Sequence, residues 1–350
     1  MIISLIVVLA LILVLPFAFR KIEHNLEYFL LIMGVFAVLI SGGLSFHLIS
    51  HIFMNYLLYF ITAAVLIAGL IFRVSVNKIR LFVASSIKKI PLPLFVFLLI
   101  TVLGLLSSLI TAIIAALILV EIIHVLPLKK DHMVKLTVVS CFSIGLGAAL
   151  TPIGEPLSTI VVSALKADFF FLLQNIGIYI VPGVLAMGLL GSLIVKPDKA
   201  IEGASEQDKF INANDKSKAQ SESLKEVFVR AFKIFLFIIA LELLGTGFKP
   251  LINTYVIQLD SRILYWINMF SAVLDNATLA AAEVSPAMSL KQIQAILMGL
   301  LLSGGMLIPG NIPNIISAGK LNIKSREWAK VGAPLGLALL AVYFVILFFV

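Results

Sequence analysis

The sequence predicts an all-α polytopic membrane protein built from two inverted-topology repeats, each with a re-entrant hairpin and an interrupted transmembrane helix. Three observations lead there. Hydrophobic residues make up 61% of the 350 residues and charged residues only 13%, where a soluble domain carries roughly a quarter charged. Apolar runs at 2–19, 26–46 and 52–72 approach or pass the ~20 residues that cross a bilayer as helix. A proline-broken apolar segment occurs twice, at 136–164 and 290–318. In hydrocarbon only helices and closed barrels satisfy their own backbone groups. Unbroken rather than alternating apolar runs decide for helices.

Loop charge orients the elements. Residues 1–51 hold the N-terminal transmembrane helices. Arg20 and Lys21 put the end of the first in the cytoplasm and its start outside. No cation precedes that apolar run, so an uncleaved helix is expected rather than a signal peptide. The turn 45–51 carries no Lys or Arg and belongs outside. The first repeat is expected over 52–195. Within it, 73–90 mixes Arg73, Lys78, Arg80, Lys88 and Lys89 with apolar residues, the pattern of a helix lying in the interface. Segment 91–126 is too long for one crossing and has cations beyond both ends, so it reads as a hairpin with its tip near Ser107-Ser108. Segment 136–164 then crosses outward. Thr151-Pro152-Ile153-Gly154-Glu155-Pro156 cannot continue as helix, because each proline removes a donor and disfavours helix at the residue before it. Segment 169–195 returns inside.

Residues 196–226 form the one long hydrophilic stretch and read as a flexible cytoplasmic linker. The second repeat, 227–350, has the same order. A crossing at 227–244 leads to a short interfacial piece at 248–259. A hairpin at 263–284 is interrupted by Asp275-Asn276. The broken helix 290–318 stops at Pro309-Gly310-Asn311-Ile312-Pro313. Lys320, Lys324, Arg326 and Lys330 mark an inner loop, and 328–350 crosses outward, leaving both termini outside the cell membrane. Gly147, Pro152 and Pro156 match Gly304, Pro309 and Pro313 in spacing. Leu109-Ile110-Thr111-Ala112 lines up with Leu274-Asp275-Asn276-Ala277. Each half makes an odd number of crossings, so the copies point opposite ways. Paired broken helices in corresponding positions are the best sequence pointer to a transporter site.

Four interrupted elements are expected to converge and to present Ser107, Ser108, Thr111, Thr151, Glu155, Thr278, Asn276, Asp275, Asn311 and Asn314. These are hard oxygen ligands with two carboxylates. No Lys, Arg or His falls inside the four elements, which favours Na⁺ or H⁺ over an anion. Asp275 is the first candidate, since an intramembrane carboxylate is costly unless it is functional, paired or protonated; as a bland alternative it caps the helix that follows. Asp275, Asn276 and Glu155 are the candidate Na⁺ ligands. Glu242 and Glu283 fall near outer helix ends and carry less weight. Glu121 and His124 make a single E-x-x-H pair, which suits an interfacial pair better than a metal site.

The net charge of +8 gathers at helix ends, so topology rather than nucleic acid explains it. One cysteine, Cys141, excludes an internal disulfide. No phosphate-binding loop and no H-E-x-x-H are present, so neither an ATP-driven motor nor an intramembrane metalloenzyme is expected.

The motif Phe270-Ser271-Ala272-Val273-Leu274-Asp275-Asn276-Ala277-Thr278 resembles the Asp-Asn motif of NhaD-type sodium/proton antiporters of the ion transporter superfamily. Thr151-Pro152-Ile153-Gly154-Glu155-Pro156 resembles their T-P-x-G-D-P break, with Glu155 in place of the usual Asp. The first hairpin lacks their usual Asn. The resemblance covers about 91–350. It implies the inverted-repeat fold, a homodimer, and Na⁺/H⁺ antiport with no cofactor beyond the transported ions. A Na⁺-coupled carrier of a small carboxylate or oxyanion is the alternative.

Overall fold

The computed structural model describes residues 1–19, 22, 25–56, 58–60, 62–63, 65–67, 69–71, 73–74, 90–126, 128–195, 223–272 and 276–350. The expected interfacial helix and linker therefore fall almost wholly outside the described residues, and so does Asp275. All secondary structure among the described residues is helical. In chain order the helices are α1 (Ile2–Ala18), α2 (Leu26–Ser41), α3 (Phe46–Met54), α4 (Leu92–Ile110), α5 (Ala112–Val125), α6 (Lys130–Ala148), α7 (Pro156–Leu165), α8 (Phe171–Ile194), α9 (Leu224–Leu251), α10 (Ser261–Ile267), α11 (Asn276–Glu283), α12 (Leu290–Gly304), α13 (Ile312–Lys320) and α14 (Ser325–Phe349). Among the described residues α4, α8 and α14 are each long and apolar enough to cross a membrane. The pair Phe46–Met54 and Leu58–Ile71, bent by 45°, makes a fourth candidate.

Local sequence sets the helix ends. Gly42 takes φ 70 beyond α2, and the Gly43 amide bonds back to Val38 O at 3.0 Å, the left-handed stop that glycine allows. Ser223 with Glu226, and Ser289 with Gln292, form capping boxes at the starts of α9 and α12. Two helix ends differ from the sequence expectation. The chain turns between α4 and α5 at Thr111 (φ 76), whereas the sequence predicts a hairpin tip near Ser107-Ser108. Both serine hydroxyls bond back to carbonyls three residues earlier, Gly104 O at 2.5 Å and Leu105 O at 2.7 Å, so they stay in α4 without breaking it. The crossing expected at 227–244 also continues as α9 to Leu251, through Pro250, and closes in a π-turn at Ile252–Val256. Gln292 donates to Ile257 O at 2.8 Å and Leu259 O at 3.0 Å, satisfying carbonyls beyond that turn.

The helices pack in reciprocal sets. α4, α6 and α8 contact one another, and so do α10, α12 and α14. The sets also cross: α5 packs on α13, and α11 packs on α7. Small residues make the close approaches, as in membrane helix pairs. A Cβ on Gly147 of α6 would lie 1.8 Å from Gly104 O of α4, and one on Gly299 of α12 would lie 2.5 Å from Tyr265 O of α10. Serines tie the same pairs. Ser143 donates to Ile100 O at 3.0 Å and Ser303 to Asn268 O at 2.8 Å. A separate pair, α2 on α9, lies beside these sets and touches α7 and α11 through α9. The starts of α6 and α14 are joined by Lys130 and Glu327 at 2.6 Å. Gln294, near the start of α12, donates to Asn175 O, near the start of α8, at 2.8 Å.

Gly147→Ala is expected to destabilise the protein by roughly 1–3 kcal/mol, because a backbone oxygen occupies the space its methyl needs. Gly319→Ala, where a Cβ meets nothing within 4 Å, is expected to be neutral or slightly stabilising. Thermal unfolding in detergent compares them, and equal melting temperatures would contradict this packing.

Candidate functional site

The two breaks are built alike. α6 ends at Ala148 and α7 begins at Pro156 after Glu155; α12 ends at Gly304 and α13 begins at Ile312 after Asn311. Glu155 (φ −155°, ψ 161°) and Asn311 (φ −153°, ψ 148°) are the extended residues before the second half-helices, and neither side chain caps its own helix. The prolines Pro156 and Pro313 sit in the first turns, where their missing amides cost nothing. The sequence alignment is one residue out at this point: spacing pairs Gly154 with Asn311, whereas helix geometry pairs Glu155 with Asn311.

Each break is latched by residues from the helices before it. Thr151 Oγ1 donates to Ser108 O at 2.5 Å, and the Ala112 amide donates to Gly154 O at 2.8 Å. In the second half Asn276 lies against Ser271 Oγ, Leu300 O and Gly310 O; turned toward these acceptors, its amide nitrogen donates to Leu300 O at 3.2 Å and to Gly310 O at 3.0 Å. Asn314 adds two bonds, to Gly304 O at 2.8 Å and Leu307 O at 2.9 Å. Thr159 Oγ1 does the corresponding work at Pro152 O, 2.6 Å away.

A cavity of about 260 Å³ opens where these parts meet. Thr111, Glu155, Thr159 and Asn311 line it, with Ala277 from the second hairpin. Of the residues singled out in the sequence, Thr111, Glu155 and Asn311 thus line one cavity. Thr151, Asn276 and Asn314 are buried beside the cavity as latches of the breaks. Ser107 and Ser108 face helix backbone instead; Ser107 also bonds Ile144 O of α6 at 2.9 Å. Thr278 lies on α11, with its side chain outside the described residues, as is the whole of Asp275.

Sequence reasoning missed the far wall. Glu27 of α2 and Lys233 of α9 line the same cavity and pair at 2.5 Å, with Glu27 only 11% exposed. The signal was present, since both are charges inside apolar runs; but they lie outside the interrupted elements, and no spacing rule brings α2 and α9 to them. Asn268, fully buried just past α10, donates to Glu283 Oε2 at 2.9 Å. That bond ties the end of α11 to the end of α10.

The family described as "Protein of unknown function (DUF1646)" matches residues 2–350. The chain belongs to the DUF1646 family. No curated protein matches it. In this DUF1646 member the cavity is mostly apolar and holds few polar groups: Thr111, Thr159 and Asn311, the Glu155 carboxylate and the Glu27–Lys233 ion pair, beside two half-helix N-termini.

Asn314→Leu is expected to cost roughly 2–4 kcal/mol, since it strands two buried carbonyls. Ser108→Ala loses one local helix bond and is expected to cost under about 1 kcal/mol. Unfolding of the two variants side by side checks the ranking, and a reversed order would show that Asn314 does not hold the break closed.

Proposed function

We propose that the chain is a secondary transporter of inorganic cations, with Na⁺/H⁺ exchange as its reaction. One observation carries this reading: Glu155 and Asn311, at the starts of two interrupted half-helices, line one cavity with the hairpin turn at Thr111. Unwound carbonyls at helix breaks coordinate Na⁺ in membrane transporters, and intramembrane carboxylates relay protons. A carboxylate that holds either a cation or a proton, but not both, couples the two fluxes.

The reciprocal packing supports two inverted repeats, 52–195 and 227–350. α4–α8 of the first correspond to α10–α14 of the second, and each lends the second arm of its hairpin to the other's broken helix. The Lys130–Glu327 pair joins helix ends that loop charge assigns to the cytoplasm, and Gln294 with Asn175 joins ends assigned to the outside. The resemblance to NhaD-type antiporters points the same way, with Asp275 as a further ligand of the site.

A second cavity supports a route through the molecule. It lies toward the other ends of α7, α9 and α11 and is lined by Ile160 and Ser163, by Leu241 and Glu242, and by Ala280 and Ala281. Lys233 and Glu242 mark the two cavities on α9, and nine residues of helix span about 14 Å. Buried alanines of α11 form part of the partition.

Lys233 favours a second reading. An ammonium in the cavity, beside two half-helix N-termini, suits a Na⁺-coupled carrier of a small carboxylate or oxyanion. Glu27 balances that ammonium at 2.5 Å, which is why the cation reading stands first.

Glu155→Gln and Asp275→Asn are expected to abolish Na⁺ or Li⁺ flux in proteoliposomes while the protein elutes and melts as a folded species; normal flux in folded Glu155→Gln protein would remove this site. For topology, cysteines at Ser217 and at exposed Ala287, in a Cys141→Ser background, are expected to label from the cytoplasm and from outside respectively. Labelling of both from one side would defeat the inverted repeats.

A further inference from the structure

The outer of the two cavities has a chemistry of its own. It holds about 530 Å³, a size suited to a small ligand. Four basic side chains line it: His47 and His51 from α3, Lys166 at the end of α7, and Lys249 in the last turn of α9. One carboxylate, Glu242, faces them, and it already accepts a hydrogen bond from Asn55 Nδ2 at 3.0 Å. The lysines alone outnumber the carboxylate before either imidazole is protonated. None of these residues lines the inner cavity.

Two further features show a built site. Lys166 holds φ 51, a left-handed conformation uncommon for a side chain of its size. The turn is closed by Lys166 N to Ser163 O at 3.1 Å and Ala167 N to Val162 O at 3.0 Å, and it keeps the lysine at the cavity wall. Ser163 lines the same cavity and is only 4% exposed, yet its hydroxyl has no hydrogen-bond partner among the described residues. Leaving a buried hydroxyl unpaired costs roughly 1–3 kcal/mol, a cost that a polar ligand reaching Ser163 from the cavity would relieve. A hydroxyl donor beside two ammonium groups and two imidazoles matches an acceptor-only ligand with negative charge.

We propose that this cavity binds a small oxygen anion, a carboxylate or an inorganic oxyanion, held by Lys166, Lys249 and His51 with Ser163 donating a hydrogen bond. The site is separate from the cation reading and stands or falls without it. Charge balance gives it a use in either case: an anion here offsets the lysines next to the outer mouth of the route.

Isothermal titration of the purified full-length protein tests this, using sodium sulfate, sodium phosphate and sodium succinate against sodium chloride matched in Na⁺ and ionic strength. Saturable binding of at least one anion over chloride is expected. Lys166→Gln with Lys249→Gln is expected to weaken it by about tenfold or more, and Ser163→Ala by about threefold. Lys330→Gln on α14, outside the cavity, is expected to leave it unchanged. Lys166→Arg keeps the charge and is expected to keep binding, which separates lost contacts from lost folding. Sulfate or phosphate without succinate would identify an inorganic ligand; succinate alone would identify an organic acid. Absence of saturable binding with all three, or affinity unchanged in the double variant, would overturn the proposal.

Discussion

A helix broken inside an apolar environment must find partners for the amides and carbonyls that the break frees. The rest of this structure depends on how that demand is met. Prolines interrupt the chain at 152–156 and at 309–313, and the freed backbone groups there find partners within the protein. The neighbouring helices and the second half-helix supply the partners. Ser108 O takes the Thr151 hydroxyl, Gly154 O takes the Ala112 amide, and the carboxamides of Asn276 and Asn314 cover carbonyls of the second break. The hairpins cannot reach so far unless their helices lie in backbone contact, which is why glycines and serines face each other at α4–α6 and α10–α12.

This closure is selective. The latches engage the backbone near Thr151, Gly154 and Gly310, and the side chains of Glu155 and Asn311, which do not cap their own helices, stand at the cavity wall. The α2–α9 pair then presents the Glu27–Lys233 ion pair as the opposing wall. A buried ion pair of this kind adds little net stability, and its place in the cavity makes it a setting of the local field rather than a structural brace. Both half-helix N-termini direct partial positive charge to the same region, against which Glu155 and Glu27 provide the negative charge.

Much of this was legible in the sequence because the repeat spacing is a backbone property. The G-x4-P-x3-P match located both breaks, whereas the polar interruption at Ser107-Ser108 pointed to a turn that lies at Thr111 instead. Serine looks like a breaker in an apolar run, but its hydroxyl can bond the carbonyl three residues back and remain helical. Glu27 and Lys233 were overlooked for a different reason: their pairing joins helices some 200 residues apart, and neither period nor spacing encodes such a contact. The same holds for the second cavity, whose basic residues come from α3, the end of α7 and α9.

The central claim is that a carboxylate-bearing cavity between two helix breaks exchanges cations for protons. Lumenal pH in proteoliposomes, read by a trapped dye under an imposed inward Na⁺ or Li⁺ gradient, tests it most directly. The account predicts that the lumen becomes alkaline as protons leave, with no anion added. A lumen that holds its pH under both gradients, together with Na⁺-dependent uptake of a carboxylate or oxyanion, would contradict it.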